Sequence, residues 1–441
     1  MTYFRIIKLI IDILFGLLGA VYFHFIVFSI IGLFKKRTYP KTDKRYRYGL
    51  IIPARNEESV VPLLIESIQK NDYPQDKLQI FVIAHNCTDR TAEIARRYDG
   101  VAVYEYNNPE ENTMGYAFRH LFKCIERDYG TASFDGFFLF NADNILDKDY
   151  IARMNDAYDF YGKECVITSF RNSKNFGANL MSGLYGMYFT VGCRLESRGR
   201  TYKGCSTRVQ GTGYLINPEI VKDGWKYVSL AEDWEFTADQ VLAEDRIRYC
   251  DDAIFYDEQP TTFRIMWRQR IRWSRGHLLV FYSRFRDMIR ELFSRKTKYR
   301  GSVYDITANI LPIGLFIVTL QVLQLALYFT APLIDKTVTL YDVFIGSGPF
   351  SFLTGAFLPT WIISTGFSTV MTFLSAIIIF AVEKERIKGV SFGMKALISV
   401  FWPLFLAIQI PIDVVAFFSR NLGWKPIPHS DKTTFENVNE R

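Results

Sequence analysis

The chain has 441 residues, with 53 Lys and Arg against 46 Asp and Glu, and a formal net charge of +7. That length accommodates one large soluble domain with a membrane part, or two or three ordinary domains. Mean hydropathy close to zero argues against both a wholly water-soluble and a wholly membrane-embedded protein.

The first predicted element is an apolar stretch at residues 9–33, long enough to cross a bilayer, for which ~20 residues suffice. It is too long for a signal-peptide core, and no small-residue cleavage site follows it, so it is expected to remain as an anchor. From residue 48 the pattern changes. Tyr-Gly-Leu-Ile-Ile-Pro at 48–53 is a short apolar run closed by proline, as a buried parallel strand would be. Val60, Leu63, Leu64 and Ile68 then recur at helical spacing up to a turn at 71–74. Strands are predicted at 78–84, 101–104 and 136–140, and helices at 88–98 and 115–129. This alternation predicts a parallel sheet with helices on both faces, and such sheets collect ligands at the carboxyl ends of their strands. Three polar segments fall there: Pro53 to Glu57, His85 to Asp89, and Asn141 to Asn144.

Between Phe263 and Arg300 the chain carries ten arginines and two lysines against Asp287 and Glu291, interleaved with apolar residues. That pattern suits helices lying in the lipid headgroup layer. A basic aromatic face can also bind nucleic acid, but the next apolar stretch is so close that lipid is the favoured partner and no nucleic acid is expected. Further spans are predicted at 306–331, 352–382 and 396–418, giving four in all. Pro403, Gln409, Pro411 and Asp413 interrupt the last, which allows it to be broken or re-entrant. Lys35-Lys36-Arg37 after the first span, and Lys384, Arg386 and Lys388 after the third, put those ends in the cytoplasm by the positive-inside tendency. The expected organisation is an anchor at 1–37, a cytoplasmic catalytic domain at 38–260, interfacial helices at 261–303, a membrane region at 304–420 and a polar tail at 421–441. Cys87, Cys124, Cys165, Cys193, Cys205 and Cys250 form no C-x-x-C pair and read as free thiols, and the five histidines are too scattered to suggest a histidine metal site.

Four short motifs could carry chemistry. Asp143, just past an apolar strand and flanked by Asn141 and Asn144, offers oxygen ligands suited to Mg²⁺ or Mn²⁺; the same residues also favour a plain turn. Glu232-Asp233, at an expected helix start, could take a proton from an attacking hydroxyl or simply cap the helix. In Gln269-Arg270-Ile271-Arg272-Trp273, arginine can fork onto phosphate, glutamine can bond sugar or phosphate oxygens, and tryptophan offers a flat face for a pyranose. An interfacial helix would also place arginine and tryptophan at the headgroups.

Together these motifs resemble the inverting family-2 glycosyltransferases with a membrane-embedded C-terminal part, the group of cellulose, hyaluronan and poly-N-acetylglucosamine synthases. Pro53-Ala54-Arg55-Asn56-Glu57 resembles that family's first-strand nucleotide loop. Asn141-Ala142-Asp143 stands where it has Asp-x-Asp, Ala231-Glu232-Asp233 where it has Thr-Glu-Asp, and Gln269 to Trp273 matches its Gln-x-x-Arg-Trp. The resemblance covers roughly residues 45–300. It implies an α/β, Rossmann-like fold of the glycosyltransferase-A type and a Mg²⁺ or Mn²⁺ ion on Asp143 and Asn141. It further implies catalytic roles for Asp233 and Glu232, with Asp233 as base. Pro53, Ala54, Arg55, Glu57, His85, Asn141, Asp143, Gln269 and Arg272 would bind the donor, and Trp273, Gly211, Thr212 and Gly213 the acceptor. Three departures stand out: Ala84-His85 replaces an aspartate expected to hold base and ribose, Asn141 replaces the first aspartate of Asp-x-Asp, and the lysine common before the third helix is absent from 112–116.

The expected activity is processive transfer from a nucleotide-sugar, UDP-linked, to a growing β-linked polysaccharide that leaves through the chain's own spans, with accessory export proteins as further partners. Transfer of one sugar to a polyprenyl-phosphate carrier is the alternative enzyme reading. A non-catalytic subunit of a synthase is the alternative from another class.

Overall fold

The computed structural model describes residues 2–334, 339–346, 356–419, 429 and 431–439. Its centre is an eight-stranded sheet of β1 (Tyr48–Ala54), β2 (Leu78–His85), β3 (Val101–Tyr106), β4 (Gly136–Leu139), β5 (Ile145–Leu146), β6 (Val166–Ser173), β7 (Tyr214–Ile216) and β8 (Ile247–Asp257). In space the order is β3-β2-β1-β4-β7-β6-β8-β5. The first four strands are parallel, as predicted. Beyond them the sheet is mixed, because β7 runs antiparallel to both β4 and β6 and β5 runs antiparallel to β8.

Alternation along β1 explains the layering. Leu50 and Ile52 face one side, where they bury against Val61, Leu64, Ile65 and Ile68 of the helix Val61–Gln69. Ile51 faces the other, against Ala117, Phe118 and Leu121 of the helix Met114–Asp128. Both faces are covered, so the strand reads as an unbroken apolar run. Each such side chain, fully buried, contributes about 1.5–3 kcal/mol over exposure.

Among the described residues, four helical stretches are long and apolar enough to cross a membrane: Ile6–Phe34, Ile313–Ile334, Phe357–Val382 and Phe392–Phe418. They present large apolar side chains to the outside, Leu9 at 58% exposure, Phe23 at 61% and Phe367 at 68% among them, which in water would be a liability and in hydrocarbon is not. The second begins later than its predicted start at 306. Ile306 and Ile310 belong to a separate helix, Arg300–Ile310, and bury against Val241, Val280 and Met288 of the soluble part; Pro312, without an N–H to donate, follows its end. The third covers the predicted span from Phe357 on; Ala356 is its N-cap, and 352–355 lie outside the described residues. The last stretch is two helices, Phe392–Ala407 and Gln409–Phe418, that meet at Ile408.

These helices pack directly on the sheet domain. The helices Leu180–Val191 and Phe263–Phe293 share a buried cluster with Ile379, Ile398, Trp402, Phe405 and Ile412. The predicted interfacial region thus holds one continuous 31-residue helix, about 46 Å long at 1.5 Å per residue. The first apolar helix is as close. A Cβ on Gly199 would meet the Phe28 carbonyl oxygen at 2.1 Å, and one on Gly32 the Arg194 carbonyl oxygen at 2.4 Å, so only glycine permits this backbone-to-backbone approach. Buried ions cross the same seam: Arg200 donates to Asp305 (2.7 Å) and Glu196 (2.8 Å), and Asp305 also meets His24 (2.9 Å). All six cysteines are free.

Candidate active site

The polar strand ends line one cavity of about 650 Å³. At its outer end stand Pro53, Ala54, Arg55, Glu57, His85 and Asn112. The loops after β1 and β2 turn through left-handed conformations at Asn56 (φ 59°) and Asn86 (φ 51°), which asparagine tolerates better than most residues. They are tied together: the Thr88 N–H donates to Asn56 Oδ1 (2.8 Å) and the Glu57 N–H to Thr91 Oγ1 (2.9 Å). His85 is 4% exposed, stacks on Tyr106 and gives its Nε2 proton to the Glu111 carbonyl at 2.7 Å. Burial holds its pKa below the ordinary value.

Asn141, Ala142 and Asp143 form the next part of the wall. Asp143 is 5% exposed; its Oδ2 accepts the Glu258 N–H (3.0 Å) and its Oδ1 the Asn144 amide (3.2 Å). Thr212 bonds this loop to the glycine loop, since its Oγ1 accepts the Asn141 N–H at 2.9 Å while its hydroxyl donates to Asn144. Gly211 carries that loop past Asp233: a Cβ there would lie 3.7 Å from Asp233 Oδ2. Gly213 lies two residues on and leads into β7.

Glu232 and Asp233 open the helix Glu232–Leu242. The long helix docks against this start because Gly276, one turn beyond Arg272, leaves room that a Cβ would fill to within 2.5 Å of Ala231 Cβ. Arg272 donates to the Leu230 carbonyl (3.2 Å). Burial and the neighbouring Asp233 carboxylate push Glu232 up to about 7; burial raises Asp233 too, against the pull of Arg272. Gln269, Arg272 and Trp273 all line the cavity, and Gln269 Oε1 is buried without a hydrogen-bond partner. Trp273 stands edge-on to Tyr185 and Phe189. Arg270, the neighbour within the motif, turns away: its guanidinium donates to Gln409 Oε1 and the Phe405 carbonyl, both at 2.9 Å.

Some lining residues escaped the sequence reading. Asp257-Glu258-Gln259 ends β8, so the strand-end rule applied there would have found it. Asp257 is clamped by Arg171 (Nε to Oδ2, 2.6 Å), which also donates to the Gln210 carbonyl (2.8 Å). Burial, with Asp143 nearby, pushes Asp257 up to about 6 despite Arg171. His429, in the segment expected to be only a polar tail, sits against Glu57. Burial alone would lower its pKa, but Asp143, Glu57 and Glu258 bring it up to about 9. At the far end the cavity reaches Tyr22, Phe25, Pro312, Ile313, Gln409 and Asp413, on or beside the apolar helices.

The fold is a mixed α/β, Rossmann-like sheet of the glycosyltransferase-A type. The mannosyltransferase PcManGT from Pyrobaculum calidifontis, solved in complex with GDP-Man and Mn²⁺, matches it with a TM-score of 0.55 at 16% identity, over 86% of this chain and 99% of that one. Residues 46–276 match the family described as glycosyltransferase like family 2, and the chain belongs to that family. It is homologous to the poly-beta-1,6-N-acetyl-D-glucosamine synthase of Staphylococcus epidermidis, with 22% identity over 411 residues, 92% of this chain and 90% of that one. It is also 27% identical over 248 residues to the probable glycosyltransferase YdaM of Bacillus subtilis, 53% of this chain and 56% of that protein, and so spans little more than half of this relative's length.

Proposed function

We propose that this membrane protein is an inverting, processive polysaccharide synthase, which takes a sugar from a nucleotide-sugar, UDP-linked, and adds it to a growing β-linked chain. The observation that carries this reading is the continuity of one cavity from Arg55 and Asp143, past Glu232 and Asp233, to Trp273 and on to Tyr22 and Ile313 at the apolar helices. A donor entering at the strand ends and an acceptor arriving from the membrane side would meet at Asp233.

In this reading Asp233 takes the proton of the acceptor hydroxyl as that oxygen attacks the anomeric carbon and the bond to the diphosphate breaks. Glu232 stands beside it as the second carboxyl of the pair. Arg272, with Gln269, bonds the leaving diphosphate, and Trp273 stacks under the acceptor sugar. Pro53, Ala54, Arg55, Glu57 and His85 receive the nucleotide end, and Gly211 to Gly213 give the acceptor terminus room to approach. Among the described residues there is no group of three His, Cys, Asp or Glu side chains that could hold a metal ion unaided. The nearly buried Asp143 carboxylate beside the Asn141 amide nevertheless suits a hard cation that takes its other ligands from donor phosphates. When bound, Mg²⁺ or Mn²⁺ supplies positive charge against the departing diphosphate.

The catalytic domain lies on the cytoplasmic side in this reading, given Lys35-Lys36-Arg37 after the first helix. Residues 431–439 dock on that domain and share its side. The broken helix pair ending at Phe418 then returns to the face it left, and the polymer leaves through the apolar helices, toward whatever export partners follow.

The name of the staphylococcal relative makes UDP-N-acetylglucosamine the first donor to test. Membranes holding the protein and radiolabelled donor should accumulate label in a large water-soluble polymer. Label extracted into organic solvent would mean a lipid-phosphate acceptor instead, and no transfer from any of a panel of UDP- and GDP-sugars would overturn the enzyme reading.

A further inference from the structure

One residue from far along the chain closes the donor end of the cavity. His429 Nδ1 lies 3.0 and 2.9 Å from the two Glu57 carboxylate oxygens, and its Nε2 lies 4.0 Å from Asp143 Oδ2. Its backbone is held as well, since the Ser59 hydroxyl donates to the His429 carbonyl at 3.1 Å. The residues that follow are anchored independently on two surrounding loops and the end of the helix Val61–Gln69. The Asp431 N–H donates to Glu258 Oε2 (3.0 Å), Glu436 pairs with Lys70 (2.6 Å), the Lys148 N–H donates to Asn439 Oδ1 (2.8 Å), and Val438 is buried.

A carboxylate on one nitrogen of an imidazole, leaving the other nitrogen aimed at a second carboxylate, is the arrangement that orients histidine metal ligands. At 4.0 Å the gap to Asp143 is too long for a hydrogen bond. Ligand bonds of about 2.0–2.2 Å set two atoms on one ion roughly 3–4.2 Å apart, depending on the angle between them, and the observed gap falls in that range.

We propose that His429 is a metal ligand of the donor site, facing Asp143 across the ion, with Glu57 as its positioning residue. The proposal rests on the donor-site reading above. It supplies a second strong ligand where Asn141 offers only a neutral amide, and an imidazole shifts preference from Mg²⁺ toward Mn²⁺.

The test is Mn²⁺ binding, read from the loss of the free-ion electron paramagnetic resonance signal, to the full chain in detergent with UDP or GDP present. His429→Gln should weaken Mn²⁺ binding about 10- to 100-fold and narrow the preference over Mg²⁺. His429→Asp should bind again with the preference moved toward Mg²⁺, and Glu57→Gln should weaken binding less than His429→Gln does. Equal binding by wild type and a folded His429→Gln protein would overturn the assignment, as would tighter binding by that variant, which would make the ring a plug in place of a ligand. If His429→Gln does not fold, unchanged Mn²⁺ affinity in Glu57→Gln overturns it equally. Failure of the wild type itself to bind Mn²⁺ with either nucleotide would bring down the donor-site reading, and this one with it.

Discussion

Two groups of buried charge in this molecule are treated in opposite ways. At the seam with the membrane helices several buried acids are paired with bases. Arg200 sits between Asp305 and Glu196, Arg386 on Asp251 at 2.9 Å, and Arg194 on Glu383 at 2.6 Å. In the cavity Glu232 and Asp233 stand side by side, and among the described residues neither is in a salt bridge, while Arg272 acts on both from a distance. Paired ions of the first kind fix geometry. Charge left without a partner in the second is available to a substrate, at a standing cost in stability.

The comparison can be broken at either end. Its largest expected effect comes from Asp233→Asn, which removes the proton acceptor while keeping shape. Product formation should fall by about 10²- to 10⁴-fold with the protein folded and nucleotide binding retained; normal polymer would remove Asp233 from the mechanism. Next is Asp305→Ala, which leaves buried Arg200 with Glu196 alone and takes the carboxylate from His24. Breaking such a pair costs about 3–5 kcal/mol, to be read as a lower thermal unfolding midpoint of the detergent-solubilised protein, and an unchanged midpoint would mean the seam is not held by its ions. The smallest is a shift in pH dependence. Because burial raises Asp233, and burial with the Asp233 charge raises Glu232, activity should be lost on acidification at a pH above the usual carboxylate range. Glu232→Gln removes the like charge, so the acid limb of the rate profile should move to lower pH. A limb that stays in place would uncouple the two residues.

What could be read from sequence follows the same division between local and distant causes. The strand ends at Pro53, His85 and Asn141 were legible because short apolar runs closed by proline or asparagine mark both the strand and its ligand-facing end. Gln269 to Trp273 was legible as a dense local motif. β8 was harder to see, because Asp251 and Asp252 interrupt its apolar run, and with it went Asp257 and Glu258. Ile306 and Ile310 carried the hydropathy of a membrane span but bury against protein, and composition does not separate lipid from core. His429 left no local trace, since it stands 372 positions along the chain from Glu57.

The glycine-lined seam of the first helix bears on any attempt to free the catalytic domain. A chain begun after Phe34 would lose the carbonyls of Phe28 and Leu33, the latter an acceptor for Arg194 at 2.6 Å. It would also lose Tyr22 and Phe25 from the cavity lining. What looks like a detachable tether is one wall of the cavity, and trimming it would leave that cavity open.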